Sequence, residues 1–218
     1  MEDRTTRGLY LEMWSGTPSG YVDARVDALL AQPGVERATW WRNARPNRDD
    51  LPRHLPEFDV LGAYEIDDAF RPPTDLDTVD DIVGAHHFRR TARPGQGVLT
   101  GAPTIGLSLV LISPRTPEQA QALRDWADFV HIRHIAAAAV PGFGMITPYE
   151  NVSGGDPRFL HWYEIDRDDP EAVFRSMTPR VEARIGGPDT DAWKAWAFHR
   201  ALRIMYVNTF ALVGARTP

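Results

Sequence analysis

Cysteine does not occur among the 218 residues, and its absence removes disulfides, thiolate zinc sites, iron–sulfur clusters and cysteine nucleophiles together. Long apolar runs are lacking too. None reaches the roughly 20 residues that a bilayer requires, and the opening MEDRTTRGLYLEMW has no charged-then-apolar leader pattern, so a cytoplasmic protein without a membrane partner is expected. Positive charge is scarce: 24 Lys and Arg stand against 30 Asp and Glu, and a surface of net charge −6 repels nucleic-acid phosphate. No G-x-G-x-x-G follows a strand and no G-x-S-x-G occurs, which argues against a tightly held Rossmann dinucleotide and against a nucleophile-elbow hydrolase. Ser153, in NVSGGD, reads as a turn residue. What remains is an ordinary globular composition, long enough to bury a core without staples.

Self-similarity is the most informative feature present. GLYLEMWSG (8–16) and GLSLVLISP (106–114) both alternate apolar and other residues and end in a turn, as strands do. Each leads into a helical stretch that closes on Pro-Gly, at Pro33-Gly34 and Pro141-Gly142. Further strands are expected at ERATWWRN (36–43) and FGMITPYEN (143–151). FDVLGAYEIDD (58–68) then matches FLHWYEIDRDD (159–169), with YEID in both. A second helix is expected in each copy, at DLDTVDDIVGAHHF (75–88) and PEAVFRSMTPRVEAR (170–184), followed by a last strand, RIMYVNTFALVG (203–214) in the second copy. One register relates the halves once about ten extra residues are allowed in the second copy's first helix and about nine compensating ones in the first copy's loop between strands two and three.

The order βαββαβ, twice, is the ferredoxin-like unit. The expected fold is α+β: two tandem ferredoxin-like repeats, residues 1–100 and 101–218, packed sheet to sheet as an α/β barrel with a cavity between the sheets. On the first strand Leu9, Leu11 and Met13 face one way and Tyr10, Glu12 and Trp14 the other, and alternation alone does not say which set is inside.

The tract DWADFVHIRHI (125–135) places His131 and His134 where an ideal helix leans both toward the interior. They are either core histidines bonded to backbone or an acid, or bases, since imidazole titrates near neutrality. Three residues apart they can also share a metal, but no third ligand is placed, so no metal is expected. Tyr10, Trp14, Trp40, Trp41, Trp126 and Trp162 are the candidate flat walls for an aromatic substrate, or simply core. Asn43, Asn151 and Asn208 are candidates to hold an oxyanion, or caps and turns. His86, His87, Arg89, Arg90 and Arg93 precede Gly95 and Gly97 in a tract that either binds the phosphates of a flavin or balances the acidic DLDTVDD before it.

DWADFVHI, VPGF and DPRFLHWYEIDRDDPEAVF together resemble the EthD-like dimeric α/β-barrel proteins, with His131 at the position of that family's helical histidine, five residues after Trp126. Arg133 stands where the family often has proline. With the opening RGLYLEMWSG and the tract HHFRRTARPGQG, the whole chain resembles the atypical ring-opening oxygenases of angucycline biosynthesis, of the jadomycin, gilvocarcin and kinamycin type. That resemblance implies oxidative C–C cleavage of a polycyclic aromatic polyketide by O2 and reduced flavin, FADH2 or FMNH2, arriving as a cosubstrate from a flavin reductase. Relatives also include cofactor-free anthrone-type monooxygenases, cyclases, haem-binding barrels and proteins that only bind. Fused repeats either satisfy the family's pairing internally or still form a homodimer through outer edges.

Overall fold

The computed structural model describes residues 7–74, 80–98 and 101–218. Segments with alternate apolar residues form the strands β1 (Gly8–Trp14), β2 (Val35–Asn43), β3 (Val60–Ile66), β4 (Ile82–Arg90), β5 (Gln96–Gly97), β6 (Gly106–Pro114), β7 (Phe143–Asn151), β8 (Phe159–Ile165) and β9 (Leu202–Arg216). Helices α1 (18–30) and α2 (117–137) each contain a wider, π-helical turn, at Val22–Val26 and Ala127–His131. Helix α3 (Pro170–Ile185) starts where the Asp169 carboxylate accepts from the Ala172 N–H at 2.9 Å, with Pro170 preset for a first helical turn. Helix α4 (Asp191–Ala197), which the sequence reading does not anticipate, is capped by Thr190. Among the described residues no helix is long and apolar enough to cross a membrane.

Every strand pairing is antiparallel, and the order β4-β1-β3-β2-β9-β6-β8-β7 closes on itself because β7 pairs back to β4, with β5 appended to β7. The result is an eight-stranded antiparallel barrel with helices outside it. One end of the ring is joined by six residue pairs between β2 and β9, the other by only three, Phe88↔Asn151, Arg89↔Glu150 and Arg90↔Tyr149.

Leu9, Leu11, Met13, Trp41, Phe88, Leu107, Leu109, Leu111 and Trp162 pack together inside the barrel. Tyr10, Trp14 and Trp40 pack on the outer face against α1, with Tyr21, Val26, Leu29 and Phe70. Both faces are therefore covered, which is why alternation does not orient the strands. One expected helix is corrected: residues 82–88 of the stretch 75–88 lie in β4, paired with β1, and residues 75–79 lie outside the described residues. Val83, His87 and Arg89 alternate there with His86, Phe88 and Arg90, a period of two that suits a ladder beside β1.

The layer between the first half's sheet and α1 is filled by a polar knot. Glu12, fully buried on β1, accepts three N–H contacts of 3.0–3.2 Å from Arg25. The Tyr21 hydroxyl donates to Glu12 at 3.2 Å and lies 2.7 Å from that of Tyr64. Gly62, opposite Glu12 in the ladder, makes room for Tyr21: a Cβ there would stand 1.7 Å from the phenol oxygen.

Candidate active site

The corresponding layer of the second half is hollow. A cavity of 490 Å³ lies between the outer face of β6, β8 and β9 and helices α2, α3 and α4. Val110 pairs with His161 in the β6–β8 ladder, as Glu12 pairs with Gly62 in β1–β3. An aliphatic residue thus replaces the acid and an imidazole replaces the glycine. The walls are apolar and aromatic, among them Trp126, Trp193, Trp196, Tyr163 and Phe174.

The π turn of α2 decides which side chains reach this hollow. Its extra residue moves the buried line from Leu123 and Ala127 to Ile132 and Ile135, a step of five rather than four at the turn. His131 therefore falls five after Trp126 on the same side, 5.1 Å from its ring, and lies flat on Trp196 at 5.2 Å. Its Nδ1 is 3.0 Å from the Trp196 carbonyl, while the Trp196 indole N–H donates back to the His131 carbonyl at 3.2 Å. A carbonyl only accepts, so the ring proton sits on Nδ1 and the neutral ring keeps its lone pair on Nε2. Burial pushes the imidazole down to about 4, against the opposing pull of that carbonyl, so it is unprotonated at neutral pH.

The same turn carries Asp128, which is buried and which the sequence reading passes over. One oxygen accepts from Arg93 at 3.1 Å and lies 3.9 Å from Arg124. The other is 3.5 Å from Nε2 of His161 and makes no hydrogen bond. His161 lines the cavity beside His131, and the sequence reading passes over it as well. Its signal lies in the paired YEID strands, where FLHW carries histidine at the position that is glycine in VLGA.

Several expected residues lie elsewhere. His134 does not join His131: the altered phase turns it toward α3, where the Arg184 guanidinium donates to its Nδ1 at 3.2 Å, and neither imidazole reaches the barrel interior. Tyr10, Trp14 and Trp40 are packed under α1, away from the His131 cavity. Trp41 and Trp162 do face inward, edge to face at 6.0 Å, in a 460 Å³ cavity at one mouth of the barrel that also holds both YEID glutamates, Glu65 and Glu164. Burial, then the charge of Glu65, raises the Glu164 carboxyl. Trp126 alone of the expected aromatic walls lines the His131 cavity. Asn43, Asn151 and Asn208 bond to backbone and to one another or to a turn, and hold no oxyanion position.

Arg89, Arg90 and Arg93 line an open cleft of 480 Å³ where β4 meets β7, together with Arg124, Arg158 and Glu150. His86 and His87 are not part of it. His86 points to the barrel side, beside Phe88, where burial lowers it to about 4, and His87 meets Phe70 on the opposite face.

No family model matches the sequence, and no curated protein does. Solved structures do. An anthrone oxidase-like protein superposes with a TM-score of 0.60 at 14% identity, over 100% of this chain and 95% of that one. A mutant chlorite dismutase from Candidatus Nitrospira defluvii gives 0.54 at 11%, over 98% and 96%. A dye-decolorizing protein from V. cholerae gives 0.52 at 13%, over 95% and 94%. The likeness is one of fold. It extends over nearly the whole length of each chain and shows a dimeric α/β-barrel-like fold.

Proposed function

We propose that the chain is an oxygenase acting on a polycyclic aromatic polyketide, bound in the cavity between the second half-sheet and helices α2, α3 and α4. The observation that carries this reading is an apolar, tryptophan-walled hollow holding a neutral imidazole whose proton is fixed away from its basic nitrogen. A flat phenolic or anthrone ring fits such walls, and its size suits a cavity of this volume. Nε2 of His131 takes the proton of the ring hydroxyl or of the acidic C–H. Burial disfavours the imidazolium alone, but the anion formed beside it offsets that penalty. The resulting electron-rich ring is the form that reacts with O2. His161 lines the same wall, with an Asp128 oxygen 3.5 Å behind its Nε2.

The ring-opening reaction and the reduced-flavin cosubstrate come from the likeness of the whole chain to the angucycline oxygenases. The arginine cleft supports the cosubstrate, because guanidinium groups suit flavin phosphate. Bound there, a reduced flavin would supply the activation of O2. A cofactor-free anthrone-type reaction is the second reading, favoured by a cavity sized for one polycycle and by the anthrone oxidase-like structure among those of like fold. No metal enters either scheme. The same reading takes the halves as tandem ferredoxin-like units, supported by matching strand orders β4-β1-β3-β2 and β9-β6-β8-β7. It places the chain in the cytoplasm with a flavin reductase as supplier. With the ring closed on itself, two-residue β5 is the one added strand end among the described residues, so a homodimer would dock through helices.

Turnover of a phenolic polycycle, followed by O2 uptake with and without reduced flavin, tests the scheme. His131→Asn is expected to lower kcat by about 100-fold or more with an unchanged circular dichroism spectrum. Full activity in that variant removes the base, and ligand binding without product marks a non-catalytic binder.

A further inference from the structure

The cleft at the barrel's short seam gathers five guanidinium groups, of which Arg89, Arg93, Arg124 and Arg158 each reach a carboxylate of Asp68, Asp125, Asp128 or Glu150. Arg89 and Arg90 come from the end of β4, Arg93 from the loop after it, Arg124 from α2 and Arg158 from the turn before β8. Five guanidinium groups from four segments thus line one opening, with Glu150 as the single carboxylate among its described walls. Glu150 is shared between Arg124 and Arg158. Arg93 is engaged from behind by Asp125 at 2.6 Å and Asp128 at 3.1 Å, which fixes its fork. Arg90, which also lines the barrel-mouth cavity with Glu65 and Glu164 and whose charge acts on Glu164, has no carboxylate within ion-pair distance among the described residues, and Nε of both Arg124 and Arg158 is buried without a hydrogen-bond partner among them. Crowded like charges held by side chains on rigid elements form a preset anion site rather than a solvated face.

We infer that this cleft binds the phosphate or diphosphate group of a small-molecule ligand, with Arg90, Arg124 and Arg158 as its direct contacts and Arg93 as a positioning residue. The site takes in Arg124 and Arg158, which are distant in sequence from the tract at 86–97, and leaves out His86 and His87. Its occupant would lie across the three-pair junction of β4 and β7 and touch both halves of the barrel. Because Arg93 reaches Asp128, the anion site is joined through one carboxylate to the His161 wall of the apolar cavity. The inference rests on the oxygenase reading only for the view that the ligand is a flavin.

Titration calorimetry with pyrophosphate and with orthophosphate tests the site itself, and quenching of FMN against riboflavin tests the ligand. Wild-type protein is expected to bind pyrophosphate saturably. Arg90→Gln, which breaks no ion pair among the described residues, should weaken that binding by about tenfold or more, and Glu150→Gln, which removes the competing carboxylate, should tighten it by about threefold. A tightening cannot come from a damaged fold, so the pair of variants separates recognition from instability. FMN held at least about tenfold more tightly than riboflavin supports both the site and the flavin reading. Pyrophosphate binding with FMN no tighter than riboflavin keeps the site and removes the flavin. No saturable pyrophosphate binding by wild type, or equal affinity in the variants, overturns the proposal.

Discussion

The layer under α1 and the layer under α2 begin from equivalent ladder positions and end as opposites. In the first half Glu12 faces Gly62, and Tyr21, Arg25 and Tyr64 fill the space above them with a closed hydrogen-bonded knot. In the second, Val110 faces His161, no acid draws a helix residue down, and 490 Å³ stays open beside His131. Both covering helices carry a π turn. The turn alone therefore makes no cavity. What differs is the pair of residues beneath it, and one half has become a support while the other keeps a usable hollow.

Substitutions can break that contrast. The largest effect is expected from Glu12→Ala, which strips the Arg25 guanidinium of its buried carboxylate and should destabilise the fold by roughly 3–5 kcal/mol in denaturant titration. Gly62→His installs the second half's residue in the first. Its Cβ would overlap Tyr21, which Glu12 and Tyr64 hold in place, and a loss of about 3 kcal/mol is expected. Val110→Phe does the converse by filling the hollow. It should change stability by less than about 1.5 kcal/mol while abolishing ligand binding, so a large loss of stability there would show that the cavity is not the tolerant space described.

A further effect is a pH slope. His131 and His86 sit at about 4 in the folded chain against an ordinary 6.5, so between those values the unfolded chain binds more protons. Stability should therefore fall as pH drops from about 6.5 toward 4 and be flat above that interval as far as these two groups are concerned. His131→Asn should shallow the slope, measured by melting at several pH values. Addition of haem to the purified protein is expected to leave the Soret band of free haem unshifted and unsharpened.

Much of the barrel is legible in the sequence because strand periodicity survives in GLYLEMW, GLSLVLI and the two YEID segments. Residues 82–88 read as helix because the acidic DLDTVDD before them suggests a first turn, and the ladder to β1 that overrides it is a long-range pairing. The two histidines stand out in the sequence, but their separation does not. An unbroken helix of 3.6 residues per turn sets His134 on the line of Leu123 and Ala127, and the π turn, which no local residue pattern announces, moves that line to Ile132 and Ile135 and leaves His134 toward α3. Tyr10, Trp14 and Trp40 look like pocket walls in sequence because a buried aromatic against a helix and one against a ligand obey the same alternation. The Arg124 and Arg158 sides of the cleft are invisible there, since nothing short of barrel closure brings them to Arg90.

The unequal joints between the halves give the barrel the mechanics of a bound book. Six pairs between β2 and β9 form the spine, and three between β4 and β7 form the clasp. Thermal opening should start at the clasp, and the amide of Arg89 should exchange with deuterium before that of Arg42. An anion lying across the arginines would fasten the two leaves, tying the occupancy of a surface groove to the resistance of the whole molecule against unfolding.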